Sequence, residues 1–238
     1  MPSPPHGTKD LVALTFAMES ELSALSKLWQ RASALPGLPY PLSLAEIKGR
    51  SILTQVTGIG KVHAATSVLR LIEQHKPRCI INVGCCGGID PSLAVGNLAV
   101  STELAYHDVW CGPPNAPGQV QGMPARFAAD EDLVKSLSQK SVHPGLFCCG
   151  EYFAPGGDSL QRMRRDFPDG LTIDMESAAM AQVCRQEGVP FASLRIVSDT
   201  PGVVGTDHAQ QYQDFWRCGY VQPFARVVDL LRHFITRH

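Results

Sequence analysis

Residues 171–184 read LTIDMESAAMAQVC. The opening Leu-Thr-Ile is a short, mainly apolar run, as a strand covered on both faces requires. From Met175 onward, apolar and small residues recur at helical spacing. A strand that turns straight into a helix is one step of a βαβ unit, so this stretch points to an α/β fold. It also poses a chemical question. Asp174 and Glu176 sit at the turn, flanking Met175, and a buried carboxylate is costly unless something pairs with it.

The same grammar extends outward along the chain. Strand candidates lie at 11–16, 51–56, 79–83, 98–101, 146–149, 171–173 and 191–197. Helix candidates lie between and after them, at 19–33, 61–75, 130–140, 159–166, 175–187 and 207–236. Several strands are continuous apolar runs rather than alternating ones. That predicts an α/β domain around a central, largely parallel sheet. No repeat and no linker divides the chain, so one domain is expected over 10–238. Residues 1–9, polar and Pro-rich, read as a loose arm. The Gly/Pro-rich stretch 111–124 is either a surface excursion or part of a subunit contact.

Composition narrows the function. The 238 residues are 44% hydrophobic and 18% charged, an ordinary globular balance. A net charge of −1 with no basic stripe argues against nucleic acid as a partner. No apolar run approaches a membrane span, and the N-terminus lacks the pattern of a signal peptide. The 8 cysteines include no C-x-x-C pair. They read as reduced thiols packed as small hydrophobes, in a cytoplasmic protein. The histidines have no metal-ligand spacing, and no metal or other cofactor is expected.

Ligands of α/β sheets bind outside the carboxyl ends of the strands, so residues just after each strand carry the chemistry. Those are 17–21 (AMESE), 57–61 (TGIGK), 84–88 (GCCGG), 150–153 (GEYF), 174–176 (DME) and Ser198-Asp199. GIGK lacks the spacing of a P-loop, and GCCGG misses the dinucleotide fingerprint. Both are either tight turns or places where backbone approaches a ligand closely. Asp174 fits a helix cap. Glu176 is either a first-turn acid or a carboxylate able to accept two hydroxyl hydrogen bonds from a vicinal diol. Asp199 is a turn-forming acid or a general acid, and Glu21 a dipole-favoured acid or a general base. Arg195, inside an apolar strand, needs an acidic partner or an anionic ligand if buried. His107 and Asp108 read as a structural or interface pair, because no nucleophile lies beside them in sequence.

Together, AMESEL (17–22), TGIGKVHAA (57–65), INVGCCGGIDPSLAVGNLAVS (81–101), AYHDV (105–109), GQVQGMPARF (118–127), DMESAAMAQVC (174–184) and VPFASLRIVSD (189–199) resemble the purine nucleoside phosphorylase-like superfamily. Within it they are most similar to the bacterial 5′-methylthioadenosine/S-adenosylhomocysteine nucleosidases. The resemblance implies a single three-layer α/β domain, with a mixed twisted sheet flanked by helices, usually as a homodimer. It implies hydrolysis of the adenine–ribose bond without a cofactor. On this resemblance Glu21 activates the attacking water, Asp199 protonates adenine at N7, and Glu176 grips the ribose hydroxyls. Phe153 would stack on the base and Ala154 would bond it through its backbone. Met18, Ile59 and Met175 would line the nucleoside pocket, with Arg195 and Ser198 at its wall. Phe127 resembles the residue lent to a neighbouring subunit's 5′ pocket, and Tyr212 an aromatic on the lid.

Three positions depart from the pattern. Cys85 stands where relatives commonly carry Ser or Thr beside the water, and a thiol donates weakly. Asn82 replaces the arginine that binds phosphate in phosphorylase relatives, which favours water as nucleophile. Asp174 stands where the most similar enzymes often have Glu. The alternatives that stay open are a purine nucleoside phosphorylase and a nucleosidase for another 5′-substituted adenosine or futalosine.

Overall fold

The computed structural model describes residues 11–35, 40–153, 157–201, 203, 205–219 and 221–237. The arm at 1–9 and Ala154 lie outside the described residues. The chain begins with β1 (Val12–Phe16) and a short α1 (Glu19–Ala24), followed by β2 (Arg31–Ala34), β3 (Leu42–Ile47) and β4 (Arg50–Val56). Then come α2 (Lys61–His75), β5 (Cys79–Gly88), β6 (Leu98–Tyr106), β7 (Phe127–Ala128) and α3 (Glu131–Leu137). β8 (Val142–Cys149), α4 (Gly157–Asp166), β9 (Gly170–Asp174), α5 (Ser177–Glu187) and β10 (Phe191–Asp199) complete the alternation. The C-terminal region is α6 (His208–Asp214), one π turn (Phe215–Gly219) and α7 (Val221–Arg237).

All these strands join one mixed sheet. Parallel pairing runs β4–β1–β5–β10 and, separately, β6–β8–β9. Two antiparallel contacts, β10–β6 and β5–β9, join the groups, so β5, β10, β6, β8 and β9 close into a ring. Closure removes two edges that an open sheet would expose. β1 and β5 are buried along their whole length, which is why they read as continuous apolar runs. Helix α2 buries Ala64, Val68, Leu71 and Ile72, one stripe at three- and four-residue spacing. Helix α5 opens with Ser177, Ala178 and Ala179, all buried, and these small side chains let it pack tightly.

Two expectations are corrected. The helix expected over 19–33 ends at Ala24, and Arg31–Ala34 form an exposed edge strand instead. Leu22, Leu25 and Leu28 have helical spacing, yet Leu25 and Leu28 are core residues reached through turns. GCCGG is not a loop after β5 but its last five residues. Gly87 and Gly88 pair antiparallel with Ile173 and Thr172, and a Cβ on Gly87 would lie 2.9 Å from Ile173 Cγ2. Glycine is what lets β5 serve both β10 and β9. The long helix expected over 207–236 is helical at His208–Asp214, through one π turn at Phe215–Gly219, and again at Val221–Arg237.

Candidate active site

A cavity of about 290 Å³ opens at the carboxyl ends of β1, β5, β9 and β10, as the α/β rule requires. Its wall holds Glu21, Glu176, Asp199, Arg195, Ser198 and Cys85, with Met18, Ile59, Met175, Tyr152, Phe153 and Tyr212 around them. Most of the residues expected at the site therefore converge on one place. Ala154 lies outside the described residues. Phe127 is not at the cavity: it is 1% exposed and packs edge-on against Tyr106 at 5.9 Å. A ring buried in its own core is not available to a partner, so that expectation is corrected.

Glu21 is held by backbone. Oε2 accepts from the amides of Ala17 (2.9 Å) and Met18 (3.1 Å), and Oε1 from that of Cys85 (2.8 Å). Burial raises its pKa, with Arg195 and these amides opposing. Cys85 thus serves Glu21 through its backbone. Burial, then Glu21 itself, push the Cys85 thiol well above its usual range, so it stays neutral.

Arg195 is buried and donates through all three of its nitrogens. Nη2 donates to Asn82 Oδ1 at 2.5 Å and to Glu176 Oε2 at 3.4 Å, Nη1 to the Cys85 carbonyl at 3.2 Å, and Nε to Ser193 Oγ at 3.2 Å. It also lies 3.7 Å from Asp174 Oδ1. Burial opposes its charge, yet Asp174, Glu176 and Glu21 hold its pKa above the ordinary value. Asn82 is buried outside the cavity wall and accepts from Arg195.

Asp174 answers half of the opening question. Its Oδ1 accepts the amides of Glu176 (3.0 Å) and Ser177 (2.8 Å), so it caps α5 from two residues upstream. Glu176 itself accepts from the Gly60 amide at 3.0 Å. Burial pushes its pKa up to about 7, with Arg195 opposing and Asp174 assisting. Asp199 is pushed up to about 6 by burial, while the Ser198 hydroxyl, 2.7 Å from Oδ1, opposes the shift. Its Oδ2 accepts nothing from the described residues.

Aromatic rings also line the cavity. Phe153 stacks on His208 at 5.9 Å and meets Tyr212 edge-on at 5.3 Å. The Tyr212 hydroxyl reaches Met18 Sδ at 3.8 Å. Sequence reasoning missed His208, and it placed Tyr152 after a strand without giving it a role. His208 stands four residues before Tyr212, on the same face of α6, a spacing that would have paired them. It also left the role of the glycine in GIGK open. Gly60, at φ 93°, offers its amide to Glu176. Among the described residues, no group of three or more His, Cys, Asp or Glu is placed to hold a metal ion.

The family model of the phosphorylase superfamily matches residues 11–227. The chain belongs to that superfamily. Among superfamily members, it is 37% identical over 199 residues to the 5′-methylthioadenosine/S-adenosylhomocysteine nucleosidase of Anoxybacillus flavithermus, covering 80% of this chain and 86% of the relative. The enzyme of the same name from Tolumonas auensis is 31% identical, over 93% and 98% of the two chains. Of solved superfamily structures, the nucleosidase from Neisseria meningitidis in complex with methylthio-immucillin-A superposes with a TM-score of 0.85. It is 29% identical, with 94% of this chain and 99% of that chain covered.

Proposed function

We propose that this protein is a nucleosidase that hydrolyses the adenine–ribose bond of 5′-methylthioadenosine and S-adenosylhomocysteine. One observation carries the reading: three carboxylates meet at one cavity, each in a different environment. Asp199, with its pKa at about 6 and Oδ2 unclaimed, is suited to hold a proton and deliver it to adenine N7. The C1′–N9 bond then breaks, its electron pair leaving with the base. The resulting oxocarbenium-like sugar is stabilised by nearby carboxylates. Glu21, fixed by three amides, takes a proton from water as the water oxygen bonds to C1′. Glu176, anchored on one side by Gly60 and on the other by Arg195, accepts the ribose hydroxyls. That completes the answer to the opening question. One acid of the pair caps a helix, and the other holds the sugar.

Arg195 also bears on the nucleophile. Its three nitrogens are already committed to Asn82, Ser193, Cys85 and Glu176, leaving no fork to grip a phosphate. Water is the nucleophile on this account. Ile59, Val62 and Trp110 are exposed large apolar side chains, and Ile59 lines the cavity. Exposed apolar side chains suit contact with a second copy of the chain, which supports a homodimer as the working form. No described helix is long and apolar enough to cross a membrane.

A substrate panel tests the reading. Methylthioadenosine, S-adenosylhomocysteine, inosine and futalosine would be supplied in turn and the free base measured. Adenine from the two thio-nucleosides is expected. Preferential release of hypoxanthine from inosine or futalosine would move the protein to another branch of the superfamily.

A further inference from the structure

Beside the cavity, outside its wall, lies a cluster that the catalytic account does not use. Lys61 Nζ bonds both carboxylate oxygens of Asp108, at 2.9 and 2.8 Å. Asp108 Oδ2 also accepts the Glu151 amide at 2.8 Å. Glu151 Oε2 in turn accepts the Lys61 amide at 3.0 Å. The Lys61 ammonium lies 5.4 Å from the centre of the Tyr106 ring, a cation–π contact. The Lys61–Asp108 pair is largely covered, at 23% and 12% side-chain exposure, so water screens it less than a surface pair. These bonds tie together three strand ends: the turn after β4, the end of β6 and the end of β8.

Two of the tied segments carry groups that face the substrate. Gly60, immediately before Lys61, donates its amide to Glu176. Phe153, two residues after Glu151, lines the cavity and packs against His208 and Tyr212. Gly60 leaves no slack, because a Cβ there would strike the Glu151 carboxylate. We propose that Asp108 is a positioning residue: through Lys61 and the Glu151 amide it holds the sugar-binding carboxylate's partner and the base-stacking ring in one geometry. Glu21 and Asp199 hang from other elements and make no bond to the clamp. Its loss therefore weakens nucleoside binding more than it slows bond cleavage.

The inference rests on the nucleosidase reading for the roles of Glu176 and Phe153. The test compares D108N, K61M and the double variant with wild type, using methylthioadenosine turnover. Each single variant is expected to raise KM about tenfold while kcat changes by less than about threefold. The double variant is expected to match the singles, because the two residues act as one unit. KM unchanged, kcat and KM both altered in step with a lowered Tm, or additive losses in the double variant would overturn the clamp. Amide hydrogen exchange supplies a readout free of turnover. In D108N the Gly60 and Glu151 amides should exchange at least about tenfold faster, with β5 amides unchanged. Equal exchange at both amides would overturn the inference. If wild type fails to turn over methylthioadenosine, the nucleosidase reading fails and exchange alone decides the clamp. Should D108N not fold, K61M, which removes the ammonium that Asp108 holds, decides the inference: KM raised about tenfold with the Gly60 amide exchanging faster is expected, and both unchanged would overturn it.

Discussion

At the residue scale, the site depends on carboxylates kept less acidic than in water. Asp199 is the clearest, at about 6 against an ordinary value of 3.8. Asp199→Asn should lower adenine release by at least about a hundredfold, since general acids contribute that much or more. It should also change stability with a definite sign. Below about pH 4 the Asp199 carboxyl is protonated in folded and unfolded chains alike, and its burial costs nothing extra. As pH rises through about 6, the folded state must hold a buried charge, and stability is lost. Asp199→Asn should therefore be more stable than wild type at pH 8, by about 1–3 kcal/mol, with the gap closing near pH 4. Urea melts at the two pH values check this, and equal midpoints at pH 8 would contradict it. Much of this scale was legible in sequence, because acids placed after strands mark themselves. Side-chain direction was not. Phe127 belongs to a matching motif, yet its ring turns into the core against Tyr106. Asn82, read as standing where phosphorylase relatives carry a phosphate-binding arginine, lies buried outside the cavity wall and accepts from Arg195.

At the element scale, β5 decides how the site is assembled. Gly84 sits where a side chain would collide with both Glu21 and Arg195, two buried groups that cannot retreat. Gly84→Ala should cost about 1–3 kcal/mol of stability through overpacking. It should also lower kcat/KM by about a hundredfold, because Glu21 would be displaced from the water it activates. Thermal melts and steady-state kinetics measure both, and a variant near wild type in each would show that the floor yields. The elements themselves were unevenly legible. Helix α2 matches its expected bounds because periodicity, a glycine before it and a turn after it all agree. Residues 19–33 misled because leucines that fill the core through turns have the same spacing as a helical stripe. β3, LSLAEI, escaped notice although it buries Leu42, Ala45 and Ile47; it pairs with an edge strand and is only half covered.

At the scale of the whole molecule, alternation of strands and helices was enough to give an α/β domain around a largely parallel sheet, and only the resemblance implied that the sheet is mixed. Closure of five strands into a ring was not legible, because it depends on two short antiparallel contacts far apart in sequence. That ring brings the end of β9, with Asp174, against the end of β5, with Cys86 and Gly87, and so gathers the acids around one cavity. The central claim is that this assembly delivers water, and not phosphate, to the sugar. The most direct measurement is adenine release from 5′-methylthioadenosine in phosphate-free buffer, repeated with phosphate added. The account predicts rapid release without phosphate, a free reducing sugar as the second product, and no acceleration by the anion. Release only when phosphate is present, with a sugar 1-phosphate formed, would contradict it.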